Sequence, residues 1–299
     1  MSKIKEYHIT PVFCLVIYGL VFAASFIKLK NDFSVTSFLA VFVMQITVFI
    51  LPSVIYKRIK GQIKYGELGI RPFGVNSIIF VICASIFMFC AAVLAGLGSR
   101  GGGDMYYADL SDITFPAVIY IIVVYCLLPA VTEEIAFRSV IYAEYRKFGV
   151  FGAVLLSSTL FSLMHFSLSS FLTYFICGAV LALVYEVTHS VFASMTVHFI
   201  YNLMSVFSQK VLGEAANKAD NLIPFVFVFV SVMLLFLFFA LSRAQKLLEF
   251  DAARIPEEEN EERPNIQTRL RSLLFSIVSP GFVVCLGFAF FAGIIRLKQ

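Results

Sequence analysis

Tryptophan is absent from this chain and charge is scarce: 14% of its 299 residues are Asp, Glu, Lys or Arg. A soluble domain carries about 25%, so an ordinary water-facing surface is excluded. Nucleotide-binding signatures are missing as well, with neither a Walker loop nor a GxGxxG turn, and no HExxH offers the usual zinc-protease pair. The six cysteines (Cys14, Cys83, Cys90, Cys126, Cys177 and Cys285) all fall within apolar runs and show no metal spacing. They read as small buried hydrophobes, not as a disulfide framework. No internal repeat is visible. No basic run lies apart from the flanks of apolar segments, so the net charge of +4 reads as topogenic lysine and arginine, and nucleic acid is not a partner.

What fills the chain instead is apolar. Hydrophobic residues make up 60% of it, with 34 phenylalanines, and the mean hydropathy is +0.90. This composition implies an all-α polytopic membrane bundle. Stretches near the ~20 residues a crossing helix needs are 11–27, 36–56, 75–97, 115–132, 171–185, 191–208, 222–241 and 273–295, with a shorter one at 149–165. Eight or nine spans follow, according to whether 149–165 crosses or re-enters. The basic start and the lack of a small-residue cleavage site before Lys28 mark 11–27 as an uncleaved first helix.

Lys3 and Lys5, the group Lys57, Arg58, Lys60, Lys64 and Arg71, the pair Arg146 and Lys147, and the pair Arg243 and Lys246 set those loops and the N-terminus on the cytoplasmic side. The aspartate-bearing loop 98–114, with its Gly101–Gly103 run, faces outside. The chain reads as one integral membrane domain, 1–299, in which 251–272 is a solvated linker or surface helix carrying five glutamates. The size and the lack of targeting extensions favour a bacterial plasma membrane.

Against this background, a few polar residues stand out. Glu133, Glu134 and Arg138 lie in "PAVTEEIAFRSVIYAEY", directly after an apolar run. Of four histidines, His8 is interfacial and His189 sits in a turn, but His165 and His198 are inside apolar helices, and Asn202 follows His198 by one turn. At 1.5 Å per residue, Glu133 lies about 20 Å from Arg146, His165 roughly 24 Å beyond Gly149, and His198 roughly 14 Å beyond His189. Three segments therefore bring costly polar groups to overlapping depths, the mark of a functional or paired set. The bland alternative is a polar glue network, with Glu134 and Arg138 as an i, i+4 ion pair and Asn202 as an interhelical hydrogen bond. The chemical alternatives are a proton pathway or hydrolysis, with a glutamate and an imidazole activating water and a second imidazole and an amide donating to an oxyanion. The same donors could also hold zinc in a His₂Glu arrangement.

Three stretches carry a resemblance. "EEIAFR" (133–138) resembles an EExxxR motif, "FSLMH" (161–165) an FxxxH motif and "HFIYN" (198–202) an HxxxN motif. In this order, each in its own apolar segment, they are similar to the CAAX prenyl protease 2 and bacteriocin-processing membrane proteases, the CPBP or Abi family. The resemblance covers roughly 115–208. It implies a membrane bundle of eight helices with an intramembrane polar cavity. It implies Glu133 as the catalytic glutamate, His165 as the histidine that positions water with it, His198 and Asn202 as the oxyanion pair, and Glu134 and Arg138 as supporting residues. Adjacent glutamates diverge by about 100° on a helix, so one facing a cavity and one facing Arg138 fits. A cofactor is not assured; if a divalent metal such as zinc is bound, its ligands are Glu133, His165 and His198. Departures are the ninth apolar stretch, the acidic linker, and Ser139 where the family often has glycine.

The expected function is thus an intramembrane endopeptidase that cuts a peptide or protein tail, prenylated or not, within the lipid environment. The rival readings are a non-catalytic bacteriocin-immunity or scaffold protein and, with less support, a small transporter, which would more often show inverted repeats or paired broken helices.

Overall fold

Each of the apolar stretches is helical, but the last, 273–295, is broken at 278–279 and divided between two helices. The computed structural model describes residues 6–27, 33–61, 69, 72–97, 114–217, 222–252 and 266–296, and no strand occurs among them. In chain order the helices are α1 (Glu6–Ala24), α2 (Val35–Lys60), α3 (Val75–Leu97), α4 (Phe115–Phe148), α5 (Val150–Leu163), α6 (Phe171–Thr188), α7 (Val191–Asn217), α8 (Leu222–Ala252), α9 (Ile266–Ile277) and α10 (Pro280–Arg296). Six of them are long and apolar enough to cross a membrane, and α1, α5 and α10 carry shorter apolar stretches. The chain is an all-α integral membrane protein. Lys3, Lys5, Lys28, Lys30, Lys64, Arg71, residues 98–113 and residues 253–265 of the acidic linker lie outside the described residues. The end of that linker is α9.

Two hydrophobic clusters organise the bundle. One joins α1, α2, α4, α5 and α10 around Tyr18, Phe137, Leu160 and Cys285. The other joins α3, α6, α7 and α8 around Met88, Leu181 and Val197. α4 stands between them, packing on α2, α5, α6 and α7. Its 34 residues make it about 51 Å long, well past the ~30 Å of a hydrocarbon core. The apolar stretch 115–132 is thus only its first half, and the helix continues through both glutamates to Phe148.

α5 is the opposite case. Its 14 residues reach about 21 Å, too little to cross. It enters from the Arg146–Glu186 end, stops within the bundle and returns as α6. Gly178 makes the close packing of this hairpin possible, since a Cβ there would lie 3.1 Å from the Ser158 Cα. At the other end of α6, Arg146 Nη2 donates to Glu186 Oε1 at 2.6 Å and the Tyr142 hydroxyl to Glu186 Oε2 at 2.8 Å. Lys60 on α2 pairs with Glu144 on α4 at the same level. The ends of α2, α4 and α6 are tied there, and the hairpin tip is set at a fixed height.

Two helices are locally widened to π geometry, over Ile46–Ile50 in α2 and over Ile122–Leu127 and Phe137–Tyr142 in α4. The first two have a plain cause. "ILPSV" and "LLPAV" place Pro52 and Pro129 just after them. Proline has no amide hydrogen for the carbonyl four residues back, and its ring crowds that carbonyl. The turn before each proline relaxes outward. π segments often mark functional places in helices, and these flank the polar residues described next.

Candidate active site

Glu133 and Glu134 lie one after the other on α4, between its two π segments, and they face different surroundings. Glu133, 9% exposed, lines a cavity of about 320 Å³. Glu134 is fully buried, and its Oε2 lies 2.9 Å from Arg138 Nε. Arg138 is itself fully buried, with its guanidinium carbon 5.3 Å from the centre of the Phe161 ring. This is the divergence that adjacency on a helix dictates.

His165 reaches the cavity from the tip of the hairpin. α5 ends at Leu163, and the chain turns through Phe166 in the left-handed region, φ 52°. The imidazole stacks on Tyr174 at 3.7 Å between ring centres. Its Nδ1 lies 3.0 Å from the Phe161 carbonyl. A carbonyl only accepts, so Nδ1 carries the hydrogen and donates, and Nε2 is left with its lone pair. Glu133, His165 and Tyr174 thus open on one space, whose other walls include Gln45, Val48 and Phe49 from α2. Thr132, beside Glu133, fixes Gln45 through a hydroxyl 2.8 Å from Gln45 Oε1.

His198 approaches from α7 on the far side of α4. Its Nδ1 lies 3.1 Å from Glu134 Oε1, so Glu134 holds Arg138 with one oxygen and His198 with the other. His198 is buried, and both it and Arg138 are within electrostatic range of Glu133. Asn202, one turn along α7, donates its amide to the Cys126 carbonyl at 3.3 Å, inside the first π segment of α4. The phenylalanine of FxxxH has a structural reason. Phe161 lies edge-on to Phe137, His165 and His198, at 5.1, 5.1 and 6.1 Å between ring centres. One ring separates and spaces both histidines.

The six residues singled out in the sequence therefore form two connected layers. Glu133 and His165 line the cavity. Glu134, Arg138 and His198 form a buried network behind them, and Asn202 is turned towards the α4 backbone. Ser139 is fully buried, so its small side chain preserves the close packing. Sequence reasoning did not single out Gln45, Tyr174 or Arg296. Gln45 had a signal, an amide within "VFVMQITVF". Arg296 had none, since a basic residue at the end of an apolar helix reads as topogenic.

The donors do not gather as a metal site. Among the described residues no three His, Cys, Asp or Glu side chains converge closely enough to hold a metal ion. The zinc set Glu133, His165 and His198 does not fit this arrangement, and no step below passes through a metal.

Compared with known families, residues 115–204 match the model of the type II CAAX prenyl endopeptidases, Rce1-like. The match covers the three motifs and agrees with the CPBP resemblance read from them. No curated protein and no solved structure matches the chain.

Proposed function

We propose that this protein is an intramembrane endopeptidase of the CAAX-protease kind, which hydrolyses a peptide bond with water activated by Glu133 and His165. The observation that carries this reading is that a carboxylate and an imidazole with a free Nε2 open on one partly enclosed cavity within an apolar bundle. Two acceptors facing one space hold the two hydrogens of a water and leave its oxygen lone pair outward. The oxygen attacks the peptide carbonyl carbon as Glu133 takes the proton. The tetrahedral intermediate collapses, the C–N bond breaks, and Glu133 returns the proton to the leaving amine.

In this scheme His198 and Asn202, which stand behind the cavity wall and not on it, turn towards the cavity to stabilise the oxyanion. To donate through Nε2, His198 must carry hydrogen on both ring nitrogens, with Glu134 accepting the one on Nδ1. Asn202 has a second amide hydrogen beyond the one given to Cys126. Protein dipoles fixed in a site that excludes bulk water act more strongly than they would in solution. The substrate is a peptide or protein tail reaching the cavity from the cytoplasmic half, prenylated or plain, and the N-terminus of the protease lies in the cytoplasm.

The test is cleavage of a peptide library, prenylated and plain, by the purified full-length protein in detergent, read by mass spectrometry. Cleavage by the wild type that disappears in Glu133→Gln and in His165→Ala supports the reading. Cleavage undiminished in both would sink the assignment of roles, and binding of peptide without cleavage would favour an immunity or scaffold protein.

A further inference from the structure

One wall of the cavity comes from the far end of the chain, outside the three motifs. Arg296, the last residue of α10, lies well beyond residues 115–204 and yet lines the same cavity as Glu133 and His165. Its helix comes in close because residue 293 is glycine: a Cβ there would lie 3.1 Å from the Phe166 carbonyl oxygen. Arg296 Nη1 donates to the His165 carbonyl at 3.2 Å, and its guanidinium carbon is 5.7 Å from the centre of the Phe166 ring.

These contacts fix the guanidinium on one side without exhausting it. Arginine has five N–H donors in a rigid fork, and a carbonyl takes one. Among the described residues no carboxylate is ion-paired with Arg296. The rest of the wall includes Val48, Phe49 and Met164, which suit an apolar side chain. The cavity thus offers a reactive pair, an apolar surface and one immobilised cation with spare donors. A planar guanidinium fork matches a carboxylate. A volume of about 320 Å³ suits a short tail, and the one anion that every peptide tail carries is its terminal carboxylate.

We infer that Arg296 is a specificity residue that binds the free α-carboxylate of a peptide tail. This rests on the protease reading above and adds to it the feature of substrate that the site recognises. Arg296 does not touch the scissile bond. It also supports the backbone of His165, so its two roles must be separated by experiment.

The separation uses two fluorescent peptides of identical apolar sequence, one ending in a carboxylate and the other in a carboxamide. Binding to the full-length protein in detergent is measured first. The wild type should bind the acid about ten-fold to a hundred-fold more tightly, the range of a hydrogen bond to a charged group. Arg296→Gln should abolish that preference and leave the amide affinity unchanged, and Arg296→Lys should keep part of it. Equal affinity of the wild type for both peptides overturns the inference. So does a preference that survives in Arg296→Gln, or an equal loss for both peptides, which would mark Arg296 as structural only. Cleavage of the same peptides is followed separately. An Arg296-dependent preference in binding without Glu133-dependent cleavage would sink the protease reading and leave the inference standing, whereas Glu133-dependent cleavage without the preference would do the reverse.

Discussion

Glu134 shows how one residue can be indispensable without meeting substrate. Its two oxygens hold Arg138 and His198 in a buried layer, and Phe161 separates that layer from His165. Removing one member of a buried ion pair leaves an uncompensated charge and costs about 3–5 kcal/mol. Arg138→Met is therefore expected to lower the thermal midpoint in detergent sharply, while Glu133→Gln, which faces the cavity, is expected to leave it nearly unchanged and to reduce hydrolysis by about 10²–10⁴-fold, the usual worth of a general base. Equal melting losses in the two variants would contradict the division into layers. Much of this was legible in the sequence, because Glu133, Glu134, Arg138, His165 and His198 are charged or titratable groups inside apolar runs. What each one bonds was less so. That His198 pairs with Glu134 depends on which face of α7 meets α4. The partner of Asn202 is a backbone carbonyl, which carries no letter in the sequence. Arg296 was invisible for a third reason, that its position mimics a membrane anchor.

At the scale of elements, the site depends on helices that depart from regularity. α5 is short, so His165 lies at its tip, at the depth of Glu133. α4 is long and widened, so its carbonyl at Cys126 can meet Asn202. The sequence located each apolar stretch, and the prolines after Ile50 and Leu127 announced the disturbance. It did not reveal the extent of α4, because the glutamates and Arg138 break the hydrophobic run that marks a span while leaving the helix intact. Two substitutions test this level. Gly178→Leu would drive a side chain into the Ser158 backbone and separate α5 from α6; overpacking of this sort costs about 1–3 kcal/mol. A fall in melting temperature together with a loss of hydrolysis is expected, and an unchanged melt would show that the hairpin is not closely packed. Pro129→Ala restores an amide hydrogen to α4 and removes the crowding that widens it. Its stability should hold or rise while its turnover falls, measured as the thermal midpoint against kcat. Full turnover in that variant would mean that the widened turn is not needed for the chemistry.

For the whole molecule, the account places hydrolysis inside an apolar bundle, with the reactive pair on a cavity and its support in a second layer. The route needs no metal, so hydrolysis should persist after dialysis of the purified protein against a chelator; loss of activity that zinc restores would contradict the route. The central claim is that Glu133 and His165 act together on one water. The most direct test is a double-mutant cycle on peptide hydrolysis, comparing kcat for the wild type, Glu133→Gln, His165→Ala and the double variant. Residues that act as one unit give grossly non-additive losses. The account predicts that the double variant is no slower than the slower of the two single variants. Losses that multiply would contradict it and show two groups acting independently.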